Sequence, residues 1–137
     1  MSLLGSAGYQ PNNANPKAAL SPANVKGKVP EHVFAKYQRA ENAQNNNYEQ
    51  MPIFAAAILA SLIAERSSFK GAGAALNGED ATGLTTFIAA WFAVRTAYNV
   101  AYISISSHSA SFTRSALWAA GTVLASYQIF KAAKVLG

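Results

Sequence analysis

The placement of charge constrains this chain more than any other feature. The run Gln50 to Ala64 carries no charge, Arg95 is the only full charge from Ala81 to Thr113, and none occurs from Ser115 to Phe130. A helix that crosses a bilayer needs about 20 mostly apolar residues, with roughly 17–25 observed. The second run meets that length if Arg95 is accommodated, and the third nearly does. The first is short unless its helix continues into the polar sequence before it. The mean hydropathy of +0.10 is only slightly apolar, so hydropathy alone leaves a soluble helical bundle as a competitor.

Small-residue spacing favours the membrane. Ala supplies 29 of the 137 residues. Ala89, Ala93, Ala97 and Ala101 recur every four positions, as do Ala56, Ala60 and Ala64. Such ridges let helix backbones approach closely where lipid tails supply no hydrophobic drive for association. Alanine is also the strongest helix former, and one ridge in an alanine-rich chain could arise by chance. Two ridges inside the apolar segments point to packed membrane helices.

Pro11, Pro16 and Pro22 lie among Asn, Gly and Ser, so residues 1–29 are expected to be irregular. Pro30 and Glu31 suit a helix opening, since Pro fits the first turn and an acid its positive end. A helical pattern then runs to about Arg66, with Pro52 inside it as an expected kink or interruption. Gly71, Gly73 and Gly78 mark a loop over 67–82, and Asp80 or Thr82 can cap a second helix ending near Ser106. A polar turn through His108 leads to a third helix from about Ser111 to Val135. The fold class is all-α, with three long helices over a domain spanning 30–137.

Several chemistries are excluded. With no Cys and only His32 and His108, the chain has no thiolate or histidine cluster to hold a metal. Its net charge is +5, but the cations are scattered singly, with no basic run to follow a phosphate backbone, so nucleic acid is not an expected partner. Gly71-Ala72-Gly73 begins like a dinucleotide fingerprint but lacks the third glycine and a preceding strand. His108 among serines reads as a solvated turn residue.

The remaining polar residues form helical stripes. Arg39, Asn42, Asn46 and Glu49 are spaced three, four and three residues apart, on one face of one helix. Arg95, Tyr98 and Tyr102 repeat that spacing on the next helix, roughly opposite its alanine ridge. Arg114 stands one turn before Trp118 at the entrance of the third. Ionisable groups inside a membrane are costly and usually face a cavity or partner. Arginine grips carboxylates through its planar fork, Glu49 suits an ammonium, Asn46 an amide, and the tyrosines supply hydroxyls. A small zwitterionic peptide fits that inventory. The competing reading pairs Arg95 with Glu49 as a buried structural bridge and leaves Arg39 and Arg114 at headgroup level.

The stretch from Arg39 to Phe54, RAENAQNNNYEQMPIF, resembles the second-helix motif of the MAPEG superfamily, the membrane-associated proteins in eicosanoid and glutathione metabolism. VRTAYNVAYI, with Arg95, Tyr98 and Tyr102, is similar to the family's third-helix pattern, and Arg114-Ser115 to the pair opening its fourth helix. The resemblance covers about residues 30–137. It implies a four-helix membrane bundle forming a homotrimer in the endoplasmic reticulum membrane, with glutathione between neighbouring subunits. By resemblance, Asn46, Glu49, Arg95, Tyr98 and Tyr102 hold the peptide, and Arg114 sits beside its sulfur.

The implied activity is glutathione conjugation or peroxide reduction on a lipophilic substrate. The alternative is a non-catalytic membrane lipid-binding or regulatory protein of the same fold. A soluble helical interaction module is a third reading, and it requires protein to cover the Ala81–Phe92 face. Two departures from the family pattern bear on this. Asn42 stands where better-known members carry an arginine, so the carboxylate grip is expected to fall to Arg39, one turn earlier, or to be weaker. Residues 1–29 supply no first membrane helix, so the chain is expected to be either a shortened member or a three-helix one.

Overall fold

The computed structural model describes residues 3–68, 80–107 and 111–137. The loop around Gly71, Gly73 and Gly78 and the turn at His108 lie outside the described residues. Two one-turn helices, α1 (Pro16–Ala19) and α2 (Pro22–Val25), precede three long ones: α3 (Glu31–Ser68), α4 (Leu84–Ser104) and α5 (Ser111–Leu136). The described residues are all-helical apart from turns and caps, as expected.

The N-terminal segment is more ordered than its prolines suggest. A 3-10 turn at Gly5–Ala7 and the two short helices are tied together by side chains. Tyr9 Oη donates to Ala19 O at 2.6 Å, and Asn24 Nδ2 donates to Ala18 O at 2.6 Å. Tyr37 on α3 donates to Leu20 O, pinning the segment to the long helix, and Leu4 and Val25 are buried. Burial pushes the Tyr37 hydroxyl up to about 12, reinforced by the neighbouring Glu41 carboxylate. Proline opens both short helices at a position where no amide hydrogen is needed.

Helix α3 runs without interruption through Pro52, over a length of about 57 Å at 1.5 Å per residue. The missing amide hydrogen removes one backbone bond, a local loss in a helix that packs against both α4 and α5. Asp80 starts α4 in the manner its sequence position suggests. Its carboxylate accepts from the N–H of Leu84 and, at 2.9 Å, of Thr85. Slight burial raises the Asp80 carboxyl, but the Thr85 and Leu84 N–H donors outweigh it and hold the group below the usual carboxylate range. Gly83 closes this turn at φ 70°, a conformation that side-chain-bearing residues rarely adopt. Thr82 instead turns back to α3, donating through Oγ1 to Glu65 Oε1 at 2.5 Å.

The core lies between the three helices. Phe54 stacks on Trp91 at 3.9 Å between ring centroids, with Phe87, Ala57 and Ala125 completing the cluster. Here the structure corrects the expected use of the alanine ridge. The inner face of α4 is Phe87, Trp91, Arg95 and Tyr98, whereas Ala89, Ala93 and Ala97 are exposed. Phe87 and Trp91, with Leu84 and Ile88 beside them, make the core contacts within the protomer, because these long side chains reach across the gap. The close approach of backbones occurs instead on α5, whose buried stripe is Gly121, Ala125, Gln128 and Ala132. Leu59, Ile63, Phe92, Val100, Val123 and Phe130 are all exposed on the outside of the bundle.

None of these helices, over the described residues, is long and apolar enough to cross a membrane. The expectation of two or three strongly apolar spans is not met on that measure. The physical reason is visible in the packing: Gln50, Ser61, Arg95 and Gln128 lower the hydropathy of their segments, and all four are buried inside the bundle.

Candidate functional site

A cleft of about 430 Å³ opens where α4 ends and α5 begins. Asn46 and Glu49 line it from α3, Tyr98 and Tyr102 from α4, and Ser111, Arg114, Ser115 and Trp118 from α5. Five of the seven residues singled out in the sequence therefore meet in one place. Helical spacing explains it: 46 and 49, 98 and 102, and 111, 114, 115 and 118 are each neighbours on one helix face.

Hydrogen bonds and ring contacts order the lining. Asn46 Nδ2 donates to Tyr98 Oη at 2.5 Å across the α3–α4 seam. The rings of Tyr98 and Tyr102 lie 5.4 Å apart. The Arg114 guanidinium sits over the Tyr102 ring, 4.7 Å from its centroid. It stands in the first turn of α5, a turn with no acidic residue, so the helix's positive end adds to its field. With Glu49 across the cleft, the site presents a cation and a carboxylate to the same volume.

Arg95 and Arg39 are turned elsewhere. Arg95 is buried, its Nη1 donating to Gln50 Oε1 at 3.3 Å and its Nη2 to Asn47 Oδ1. Its guanidinium lies 4.4 Å from the centroid of the Tyr98 ring, so it backs the cleft wall from behind. Among the described residues it donates to amides, and the bridge to Glu49 that the competing reading required does not form. Arg39 Nε donates to Ile103 O at 3.1 Å, satisfying one of the carbonyls left free at the end of α4. Neither arginine lines the cleft within one protomer.

The sequence reading missed Asn47, Gln50, Gly121 and Ser111. Asn47 links Arg95 to Asn99, donating to Asn99 Oδ1 at 2.9 Å. Gln50 donates to Trp118 O and Thr122 Oγ1, both at 2.9 Å. A Cβ at Gly121 would stand 2.7 Å from Gln50 Oε1, so glycine there permits the approach of α5. The available signals were a glutamine opening an apolar run directly after Glu49 and a glycine in the middle of an apolar helix. Among the described residues no group of His, Asp and Glu could hold a metal ion.

An all-α bundle with apolar side chains outside, paired polar side chains inside and a charged cleft at one end is the class these features define. The chain belongs to the MAPEG family, whose family model matches residues 5–134, nearly the whole chain. That match begins well before the motif helix and takes in the N-terminal segment that the motif resemblance left out. The family is membrane-associated and its members use glutathione as substrate or cofactor. No curated protein and no solved structure matches the chain.

Proposed function

We propose that this protein is a membrane-embedded, glutathione-dependent transferase or peroxidase acting on lipophilic substrates, with the cleft between α3, α4 and α5 as its glutathione site. The observation that carries the reading is the convergence of Glu49, Asn46, Tyr98, Tyr102 and Arg114 on one cavity. The donor set fits the peptide. Glu49 takes the ammonium, Asn46 and the tyrosine hydroxyls take amide and carboxylate groups, and Arg114 faces the sulfur. Glutathione supplies a thiol whose deprotonated form is the nucleophile. A guanidinium beside it favours the thiolate over the thiol and so raises the reactive fraction at neutral pH.

Among the described residues one cation lines the cleft, whereas the peptide carries two carboxylates besides the sulfur. A homotrimer, as in the family, answers this by adding groups from a neighbouring copy at the cleft's edge. The exposed Ala89–Ala97 ridge, which no described helix covers, is the surface we assign to that neighbour. The exposed apolar side chains elsewhere face lipid, and the polar residues that depress the hydropathy of each helix are buried inside, where Gln50, Ser61, Arg95 and Gln128 each make hydrogen bonds and Arg95 Nε has no partner among the described residues. We place the protein in the endoplasmic reticulum membrane.

A non-catalytic lipid-binding role for the same fold is the second reading. Arg114 separates the two in part, because a pure binder does not need a cation at the glutathione sulfur. Calorimetric titration of the detergent-solubilised protein with glutathione, followed by turnover of a model electrophile, tests the proposal. Micromolar to millimolar binding with conjugation supports the enzyme, and the absence of both favours the binder.

A further inference from the structure

Gln50 follows Glu49 in sequence but points to the other side of the cleft wall. It is 1% exposed. Its Nε2 donates to Trp118 O and Thr122 Oγ1 on α5, and its Oε1 accepts from Arg95 Nη1 on α4. One amide thus joins all three long helices at a single level. Gly121 lies against it, and any larger residue there would collide with Oε1.

We propose that Gln50 is a positioning residue for the cleft: it fixes the register of α5 against α3 and thereby the placement of Arg114 relative to Glu49. This rests on the glutathione reading of the cleft. Arg114 is one helical turn before Trp118, about 6 Å along the axis, so the hook at Trp118 O holds the turn that carries the cation. Glu49, adjacent to Gln50, is held by the same rung on the other side. A second polar rung exists further along, where Gln128 Nε2 donates to Ser61 Oγ at 2.8 Å. It lies ten residues beyond Trp118 on α5 and eleven beyond Gln50 on α3, so the two helices run in step between the rungs. Only the Gln50 rung is close enough to set Arg114.

Small residues alone cannot set this register. Gly121 and Ala125 let the backbones meet but offer a smooth surface along which a helix can slide or rotate. In a setting where hydrophobic burial does not distinguish one helix pairing from another, directional hydrogen bonds supply the distinction. A slip of one residue moves Arg114 by about 1.5 Å and turns it by about 100°, and a misplacement of that order costs on the order of a hundredfold in a reaction that depends on alignment.

Gln50→Glu tests this without stranding Arg95. The variant keeps the shape and an acceptor for Arg95 Nη1, but sets a carboxylate oxygen against Trp118 O where a donor stood. Thr122→Val is the milder companion, removing one of the two bonds to α5. Calorimetry on the solubilised chain should find glutathione affinity within about threefold of wild type, because Glu49, Asn46 and both tyrosines sit on α3 and α4. The ultraviolet thiolate absorbance of the complex at neutral pH should fall at least tenfold in Gln50→Glu and by less in Thr122→Val. Since the chain has no cysteine, spin labels introduced at the exposed positions Ala55 and Ala119 report the register without any ligand. Their distance distribution should shift or broaden in Gln50→Glu. A variant that melts earlier but keeps the wild-type distance and thiolate band would show Gln50 to be a structural strut only. A shifted distance in a protein whose wild type binds no glutathione would overturn the glutathione reading and the positioning role built on it, leaving Gln50 as a register residue alone.

Discussion

Asn46 on α3 donates to the hydroxyl oxygen of Tyr98 on α4 at 2.5 Å, at the seam where both line the cleft. Because the phenol oxygen accepts this bond, its own hydrogen is free to be donated into the cavity. Tyr98 becomes a fixed donor aimed at whatever occupies the site, with the Arg95 cation behind its ring. Tyr98→Phe removes the hydroxyl and leaves Asn46 without its acceptor. A hydrogen bond to a charged ligand group contributes about 1.5–3 kcal/mol. Glutathione affinity should fall by about ten- to a hundredfold, read by calorimetry, and the lost Asn46–Tyr98 bond should lower stability by about 1 kcal/mol.

Glu49→Gln keeps the side chain's shape and removes the charge that faces the ligand's ammonium. The expected loss is again about ten- to a hundredfold in affinity. Glutathione lacking its free amine, as the N-acetyl form, should bind both proteins equally weakly. Equal affinity of wild type and variant for glutathione itself would make Glu49 a residue of the fold rather than of the site.

The three long helices, the Asp80 start of α4 and five of the residues that line the cleft were legible in the sequence, because helix spacing alone brings 46 to 49, 98 to 102 and 114 to 118 onto shared faces. What the sequence could not tell was which face of α4 turns inward. An alanine ridge and an aromatic–polar stripe each offer a packing surface, and the choice between them depends on the partner helix. Here α5 supplies the small residues Gly121 and Ala125, so α4 can bring Phe87, Trp91 and Arg95 inward. The same dependence hid the roles of Arg39 and Arg95. Both sit on the expected stripe, but Ile103 O and the amides of Asn47 and Gln50 are long-range partners that spacing does not reveal.

Asp80 makes the start of α4 sensitive to acid. Its folded carboxyl is held below the usual range by N–H donors from Thr85 and Leu84, so it contributes stability above the unfolded pKa of about 4 and loses it as pH falls through the lower folded value. Asp80→Asn should lower stability at neutral pH by about 1 kcal/mol or less, as for loss of a cap. The gap between wild type and variant should close as the pH falls through that depressed folded value. A constant gap from neutral to acid pH, in denaturation followed by circular dichroism, would show that the charge is not what matters.

Residence in the membrane is tested by alkaline carbonate extraction of membranes from expressing cells. The inward placement of Gln50, Arg95 and Gln128 and the outward Phe92, Val100 and Val123 lead to retention in the pellet. Release into the supernatant would contradict it.

The central claim is that Arg114 makes the cleft a site for a thiolate, and the ultraviolet absorbance of the glutathione complex tests it most directly. The wild-type protein, saturated with glutathione at neutral pH, should show a thiolate band that Arg114→Ala lacks although it still binds the peptide. Raising the pH should restore the band in the variant, since hydroxide then replaces the arginine in supplying the thiolate. A wild-type complex with no band at neutral pH, or equal bands in both proteins, would contradict the account.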